Sequence, residues 1–315
     1  MGIWAVPLEV VAGALRVSTP FLFVSLGETI TEKSGRINLG QEGTLVMGAM
    51  AGYGISYLSS QWLGHSSLLF LAPWLGLLAA GCCGLVLGSL HAWLCSKPRV
   101  NDVAVGIALM LFGTGLAFYL GKPFIRPSAP QLPSIPLGFW SSQPQIRSSF
   151  NIGVLFFIGV ALAPTILWAL NNTRWGLRLR TVGESADAAR AMGYSISRVR
   201  MGATALGGFL AGLGGAFLSL SYPGVWNEGL SSGQGLMAVA LVIFAKWNPV
   251  NCLWAALLFG GASALGPALQ SVGVTSGYYL YSAAPYVLTL LIMVITCSPS
   301  RTLTGVPAEL SMTTS

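Results

Sequence analysis

A chain of 315 residues that is 54% hydrophobic and 8% charged cannot coat a water-soluble globule, because soluble domains carry roughly 25% charged residues. Its net charge of +7 would suit nucleic acid or an acidic partner. The basic residues, however, sit in loops between apolar runs, so membrane topology explains them and no nucleic-acid partner is expected.

A membrane span needs ~20 apolar residues. The first candidate is Val10 to Gly27, with Arg16 and Pro20 inside it. Glu9 and the lack of a basic leader segment argue against a cleavable signal peptide. A polar, glycine-punctuated stretch follows from Glu28 to Gly43, holding Glu28, Glu32, Lys33, Arg36, Asn38, Gln41 and Glu42. Thr44 to Leu58 is a second span, and part of the polar stretch is a candidate for its broken first half. Ser66 to Cys95 is a third, with a tilt or kink expected after Pro73. Val103 to Leu120 is a fourth.

Residues 122–149 carry six prolines and little helical pattern, and they are expected outside as an ordered cap or loop. Ile152 to Leu170 is a fifth span. It leads into Asn171 to Arg200, the longest water-compatible segment, with Arg174, Arg178, Arg180, Arg190, Arg198 and Arg200 against Glu184 and Asp187. A positive loop between two spans marks the cytoplasmic side. Within it Glu184 to Met192 reads as a short helix: acidic residues in the first turn, alanines through the middle, and Gly193 to end it. This is where a soluble partner is expected to dock.

Met201 to Leu220 is a sixth span. Ser221 to Gly235 is a second polar, glycine-rich interruption, with Trp226, Asn227, Glu228 and Gln234. Leu236 to Ala245 is short enough to be a half-helix or a re-entrant piece. Cys252 to Leu269 and Tyr278 to Cys297 are the last spans, and a polar, loose tail runs from Ser298 to Ser315. With the arginine-rich loop inside, Lys33, Arg36, Lys97, Arg99, Lys246 and Arg301 also fall inside. The expected fold is therefore an all-α polytopic integral membrane protein with about nine transmembrane helices, broken or re-entrant pieces included. Its N-terminus lies outside and its C-terminus in the cytoplasm. Residues 1–297 form one transmembrane domain, and 298–315 a cytoplasmic tail.

The two polar interruptions admit two readings. They are ordinary surface loops, or they are irregular backbone at membrane depth, which persists only where protein or a water-filled cavity covers it. Three Gly-x-x-x-Gly pairs, Gly48/Gly52, Gly84/Gly88 and Gly208/Gly212, favour close helix packing within the chain over dimerisation. Trp62, Trp140 and Trp175 read as interfacial anchors. The five cysteines, all in apolar runs, read as small buried hydrophobes. His65 and His91 have no ligand cluster around them, so no metal is expected. No phosphate-cradling Gly-x-x-x-x-Gly-Lys-[Ser/Thr] and no Gly-x-Ser-x-Gly elbow appears, and no enzymatic site or cofactor is expected.

Three ordered motifs carry a family resemblance. SGRINLGQEG (Ser34 to Gly43) closely resembles the signature of membrane permeases in ABC importers for nucleosides and simple sugars, within the branched-chain amino acid and ribose permease superfamily. GLRLRTVGESADAARAMGYSISRVR (Gly176 to Arg200) is similar to that family's cytoplasmic loop, and GLMAVALVIFAKWNP (Gly235 to Pro249) to its third recurrent stretch. The resemblance spans about Val10 to Ile295.

It implies a permease subunit in a bacterial or archaeal plasma membrane that moves a nucleoside or simple-sugar-like solute inward. Hydrolysis of ATP would fall to separate cytoplasmic ABC ATPase subunits. An extracytoplasmic solute-binding lipoprotein and a second permease subunit, a heterodimer before a homodimer, complete the expected assembly. Residues 171–200 would hold the coupling helix, with Glu184, Asp187, Ala188, Ala189, Arg190 and Gly193 as its contact residues. Asp187-Ala188-Ala189 and Gly193 follow the family's Glu-Ala-Ala-x-x-x-Gly pattern with Asp for Glu. The solute path is placed beside Asn38, Gln41, Glu42, Asn227 and Glu228. An ion-coupled secondary transporter is the alternative. It explains embedded carboxylates and broken helices, but not the Ala-Ala-x-x-x-Gly helix.

Overall fold

A computed structural model describes residues 6–64, 67–125, 127–140, 144–273, 276–296 and 305–312. His65, Arg126, Cys297 and Arg301 lie outside the described residues, as does the side chain of Trp140. The chain is an all-α bundle with one small two-stranded ribbon. Among the described residues, six helices are long and apolar enough to cross a membrane, and an eleven-residue apolar helix accompanies them.

Helix α1 runs Val6–Lys33 and continues past the expected end at Gly27. Glu28 and Glu32 are thus helical and buried, and the first polar interruption shrinks to residues 34–40. Helix α2 (Gln41–Leu63) starts three residues before the expected span. Helix α3 (Ala72–Cys95) follows a short 3-10 turn, and Pro73 stands in its first turn. A proline at that position lacks an N–H that would be unpaired anyway, so it starts the helix and makes no kink. Helix α4 (Asp102–Gly121) is capped by Asn101, whose side chain accepts from the N–H groups of Val103 and Ala104.

The described residues of the proline-rich segment form an ordered cap. Strands β1 (Ser134–Pro136) and β2 (Asn151–Gly153) pair antiparallel around the six-residue helix α5 (Pro144–Ser149). Tyr53 and Ser56 donate from α2 to the Pro127 and Pro130 carbonyls, both at 2.8 Å, and pin the cap to the bundle. The Leu132 N–H reaches the Leu220 carbonyl at 2.8 Å.

Helix α6 (Val154–Asn172) leads to α7 (Arg174–Glu184) and α8 (Ala186–Ala191), and α9 runs Ile196–Leu220. The arginine-rich loop is therefore mostly helical, with Arg198 and Arg200 inside the first turns of α9. Glu184 closes α7 and does not open the short helix, because Ser185 takes the cap position. The short apolar run expected as a half-helix or re-entrant piece forms the eleven-residue helix α10 (Gln234–Phe244), followed by α11 (Pro249–Ser271). The last expected span breaks at Ala283 into α12 (Tyr278–Ser282) and α13 (Ala284–Thr296). The tail is not loose throughout: helix α14 (Ala308–Met312) packs against the bundle, with Leu310 buried.

Glycine faces set the centre. Helices α2, α3 and α9 pack on one another so closely that a Cβ on Gly84 would strike the Gly208 carbonyl. One on Gly212 would strike the Ala80 carbonyl, and one on Gly48 would lie 2.7 Å from Gly212 Cα. All three Gly-x-x-x-Gly pairs are spent inside one chain, where backbone contact takes the place of side-chain packing.

Candidate functional site

The first interruption is organised by Glu28. Its carboxylate accepts from the Asn38 N–H at 2.7 Å and from the Gln41 side-chain amide at 2.6 Å. Asn38 Oδ1 in turn accepts from the Gly40 N–H at 2.9 Å. These bonds fold residues 34–40 back under α1, so that α2 can begin below its apparent start in the sequence. Arg36 leaves this loop to pair with Asp102, and it donates to the Cys95 carbonyl at 2.6 Å. That contact fixes the loop to the junction of α3 and α4. Gln41 Oε1 is buried without a partner.

Glu42 joins the two interruptions. Helix α10 begins after Gly233, which has φ +79° and no side chain to cap the helix. The first N–H groups of a helix have no partner within it. Glu42 supplies the missing acceptor from another helix. Its Oε2 accepts from Gly235 at 2.6 Å and from Leu236 at 3.3 Å, and its Oε1 from Gly233 at 3.2 Å and the Ser231 hydroxyl at 2.5 Å. The same carboxylate stands in the first turn of α2, so it lies between two positive helix ends. Gly235 is required: a Cβ there would sit 2.6 Å from Glu42 Cα.

The far end of α10 is held the same way. Trp247, at φ +53° beside Lys246 at φ +51°, donates its indole N–H to Glu32 on α1. Both ends of the half-helix are thus bound to carboxylates from the first 42 residues. At eleven residues, or about 16 Å, α10 is long enough for only half of a ~30 Å hydrocarbon layer. Its start, with Glu42, Ser231 and the buried, unpartnered Gln234 Oε1, is therefore a polar point within the bundle.

Of the expected path residues, Glu42 stands at this point, and Asn38 and Gln41 are buried just before it in the chain, both bonded to Glu28. Asn227 and Glu228 are exposed on the irregular segment 221–233, beyond Trp226, whose indole donates to the Gly121 carbonyl at 2.9 Å. Sequence reasoning placed Glu28, Glu32 and Gln234 in the polar interruptions but not on the solute path, and it missed Ser231 and Trp247. The signal for the first two was their four-residue spacing, one helical turn, next to an apolar run.

The short helix α8 is built as an exposed knob. Ser185 caps it through the Ala188 N–H at 3.2 Å. Gly193 ends it at φ +78°, with Tyr194 N–H returning to the Ala189 carbonyl at 3.0 Å. Ala189 is fully buried, so small size there sets how closely α8 sits on the bundle. Asp187, Ala188, Arg190 and Met192 face outward, and Arg190 pairs with Asp187 at 2.7 Å. Glu184 is exposed one turn away.

A residue from the tail braces this knob. Glu309 Oε1 accepts from the Ala186 N–H at 2.7 Å, and Oε2 from Arg200 at 3.1 Å. Arg200 also donates to the Ser34 carbonyl at 3.0 Å. One carboxylate thereby links α8, α9 and the 34–40 loop. Among the described residues, no group of three His, Cys, Asp or Glu side chains is arranged to hold a metal ion.

Comparison with known proteins gives the arrangement a context. Residues 10–297 match the family described as branched-chain amino acid transport system, permease component. The guanosine ABC transporter permease protein NupQ of Bacillus subtilis is 31% identical over 294 residues, 90% of each chain. The nucleoside ABC transporter permease protein NupC of Lactococcus lactis is 29% identical over 297 residues, 91% of each chain. The putative glucose ABC transporter permease protein TsgC13 of Haloferax volcanii is 31% identical over 265 residues, 82% of this chain and 77% of that one. In each of these organisms a second, more distant match carries a permease name for the same solute.

Proposed function

Because the chain belongs to the permease-component family of branched-chain amino acid transport systems, and is a permease subunit of an ABC importer, we propose that it moves a nucleoside or simple sugar inward. Of the three relatives described above, two carry nucleoside or guanosine names and one a glucose name. The solute class is drawn from those names together with a path whose polar groups are amides and already engaged carboxylates. Neutral, hydroxyl-rich molecules suit such a lining.

The observation that carries the coupling mechanism is α8, a capped, exposed six-residue helix seated on a buried alanine. Cytoplasmic ABC ATPase subunits grip it through Glu184, Asp187, Ala188, Arg190 and the exposed Met192. Ala189 and Gly193 act by setting its seat and its end. Closure of the ATPases on ATP then moves α8 with α7 and the start of α9 as a rigid body. The chain itself hydrolyses nothing.

Helix α10 and the 34–40 loop line the path at mid-membrane, with Asn38 and Gln41 beside the solute. Glu42 acts there by holding the start of α10. Asn227 and Glu228 stand at the outer mouth, where a solute-binding protein delivers its load. The N-terminus is outside and the C-terminus cytoplasmic. About nine crossings result when α2, the half-helix α10 and the α12–α13 pair are counted with the six long spans. Residues 1–297 form one domain, with 122–149 as its outer cap, in a bacterial or archaeal plasma membrane. The partner permease is a different, related chain, as the same-organism pairs among the relatives suggest.

Uptake of a panel of labelled nucleosides and sugars into vesicles holding the assembled transporter, with ATP inside or outside, tests the proposal. The expected result is saturable uptake of one class, dependent on ATP at the α8 face. Uptake driven by an ion gradient without ATP would overturn it.

A further inference from the structure

Arg16 lies within the apolar helix α1, at the end of the bundle covered by the cap. An arginine inside a span is costly and is normally paired with a carboxylate or a carbonyl. None of the three ion pairs among the described residues uses Arg16, and its buried Nε has no hydrogen-bond partner. Its one marked contact is a stacking of the guanidinium over the Tyr222 ring, 4.8 Å from the centroid. That face-on contact satisfies none of the in-plane donors.

The side chain lines a cavity of about 160 Å³ under the cap, together with Gln131, Ser134, Asn151, Ser221 and Tyr222 among others. Among the described residues, no acidic side chain lines this cavity. Gln131 is already spent on the Gly224 carbonyl at 3.0 Å, but the Ser221 hydroxyl is buried without a partner. A second cavity of about 280 Å³ adjoins through Arg16 and Tyr222, and opens between α1 and α11. The carboxylate there, Glu9, is engaged by the Ser271 hydroxyl.

One cation with unspent forked donors, one buried unspent hydroxyl and the Asn151 amide therefore line, from three elements, a cavity whose own lining carries no acidic side chain among the described residues. We propose that this cavity is a binding site for a phosphate-type oxyanion, held by Arg16 and Ser221. Arginine recognises phosphate through two parallel N–H bonds, and a tetrahedral group offers acceptors to donors arriving from several sides. The oxyanion is either a free phosphate group entering under the cap or a phospholipid headgroup entering between α1 and α11. The site is separate from the polar point at Glu42 and independent of the transported solute.

The test is binding of radiolabelled inorganic phosphate to the full-length chain in its assembled transporter, in phosphatidylcholine nanodiscs at fixed ionic strength. The expected result is saturable binding that weakens about tenfold or more in Arg16→Gln and by a smaller factor in Ser221→Ala. If phosphate does not bind, retention of phosphatidylglycerol from mixed nanodiscs is measured by lipid extraction. Retention by the wild type that Arg16→Gln loses supports the site, with the headgroup as its occupant. If neither phosphate nor phosphatidylglycerol distinguishes wild type from Arg16→Gln, the proposal is overturned, and stacking on Tyr222 with hydration accounts for the arginine. Should Arg16→Gln fail to assemble, Ser221→Ala decides: affinity for both probes equal to wild type overturns the site.

Discussion

Replacing Glu42 by Gln should release the start of α10 while leaving its side-chain volume almost unchanged. In the wild type one carboxylate accepts four hydrogen bonds, three of them from backbone N–H groups that have no other acceptor nearby. An amide keeps one oxygen and turns an NH₂ group toward donors. Two bonds to a charged acceptor are then lost, each worth about 1.5–3 kcal/mol when the remaining partner is buried. Loss of the charge facing two helix ends adds about 0.3–1 kcal/mol. A lower estimate near 3 kcal/mol raises the opening equilibrium of the first turn of α10 about 100-fold. Hydrogen exchange read by mass spectrometry on peptides covering residues 233–244 measures this directly. The amides of Gly235 and Leu236 should exchange about 100-fold faster, while those of α9 keep wild-type rates. Solute uptake should fall with ATPase-subunit binding intact. Ser231→Ala, which removes one bond, should give about a tenfold effect or less. Wild-type protection of α10 in Glu42→Gln would refute the capping argument.

Three further outcomes are expected. Arg190→Glu should leave the permease in the membrane but cut the uptake obtained per ATP hydrolysed several-fold, since it reverses the charge on the outer face of α8; an unchanged ratio in reconstituted vesicles would count against docking there. Glu309→Ala frees the Ala186 N–H and unpairs Arg200, a loss of about 2–4 kcal/mol of local bracing; crosslinking between α8 and the ATPase subunit should become less specific, and a crosslink pattern identical to wild type would exclude the brace. Gly215→Ala places a Cβ on the Leu45 carbonyl, and overpacking of about 1–3 kcal/mol should lower the thermal midpoint in detergent. Gly202→Ala on the same helix meets nothing within 4 Å and should match or exceed the wild type, so equal losses from both would refute the close-approach reading.

The apolar runs were legible because lipid imposes a single requirement on each span, and α4, α6 and α11 begin and end close to the ends of their runs. The glycine pairs were legible for a related reason: without a hydrophobic drive between helices, close backbone approach needs small residues at fixed spacing. What hid the helical state of Glu28 and Glu32 was polarity. A pattern reader ends a helix where charge begins, whereas here the charge is the tether for the next loop. The capping of α10 was illegible locally, because the acceptor stands 189 residues away from Ser231, and nothing near Gly233 announces it. The same holds for Glu309, whose tail carries no periodic pattern. The short helix α8 was placed within two residues at its start, and the error arose from Glu184, whose acidity suits a first turn but which Ser185 displaces with a better cap.

The clasp on α10 has a consequence for how the chain is made. A ribosome finishes Glu32 and Glu42 long before it reaches Trp247 and Ser231, their partners 215 and 189 residues further on. At translation rates of roughly 5–20 residues per second, the interval is on the order of ten seconds or more. Glu28 meets its partners, Asn38 and Gln41, almost at once; the other two carboxylates arrive at the bilayer with nothing to hold. Until the second half emerges, those two carboxylates lack the partners that hold them in the finished bundle, so the first two helices are completed only when α10 arrives.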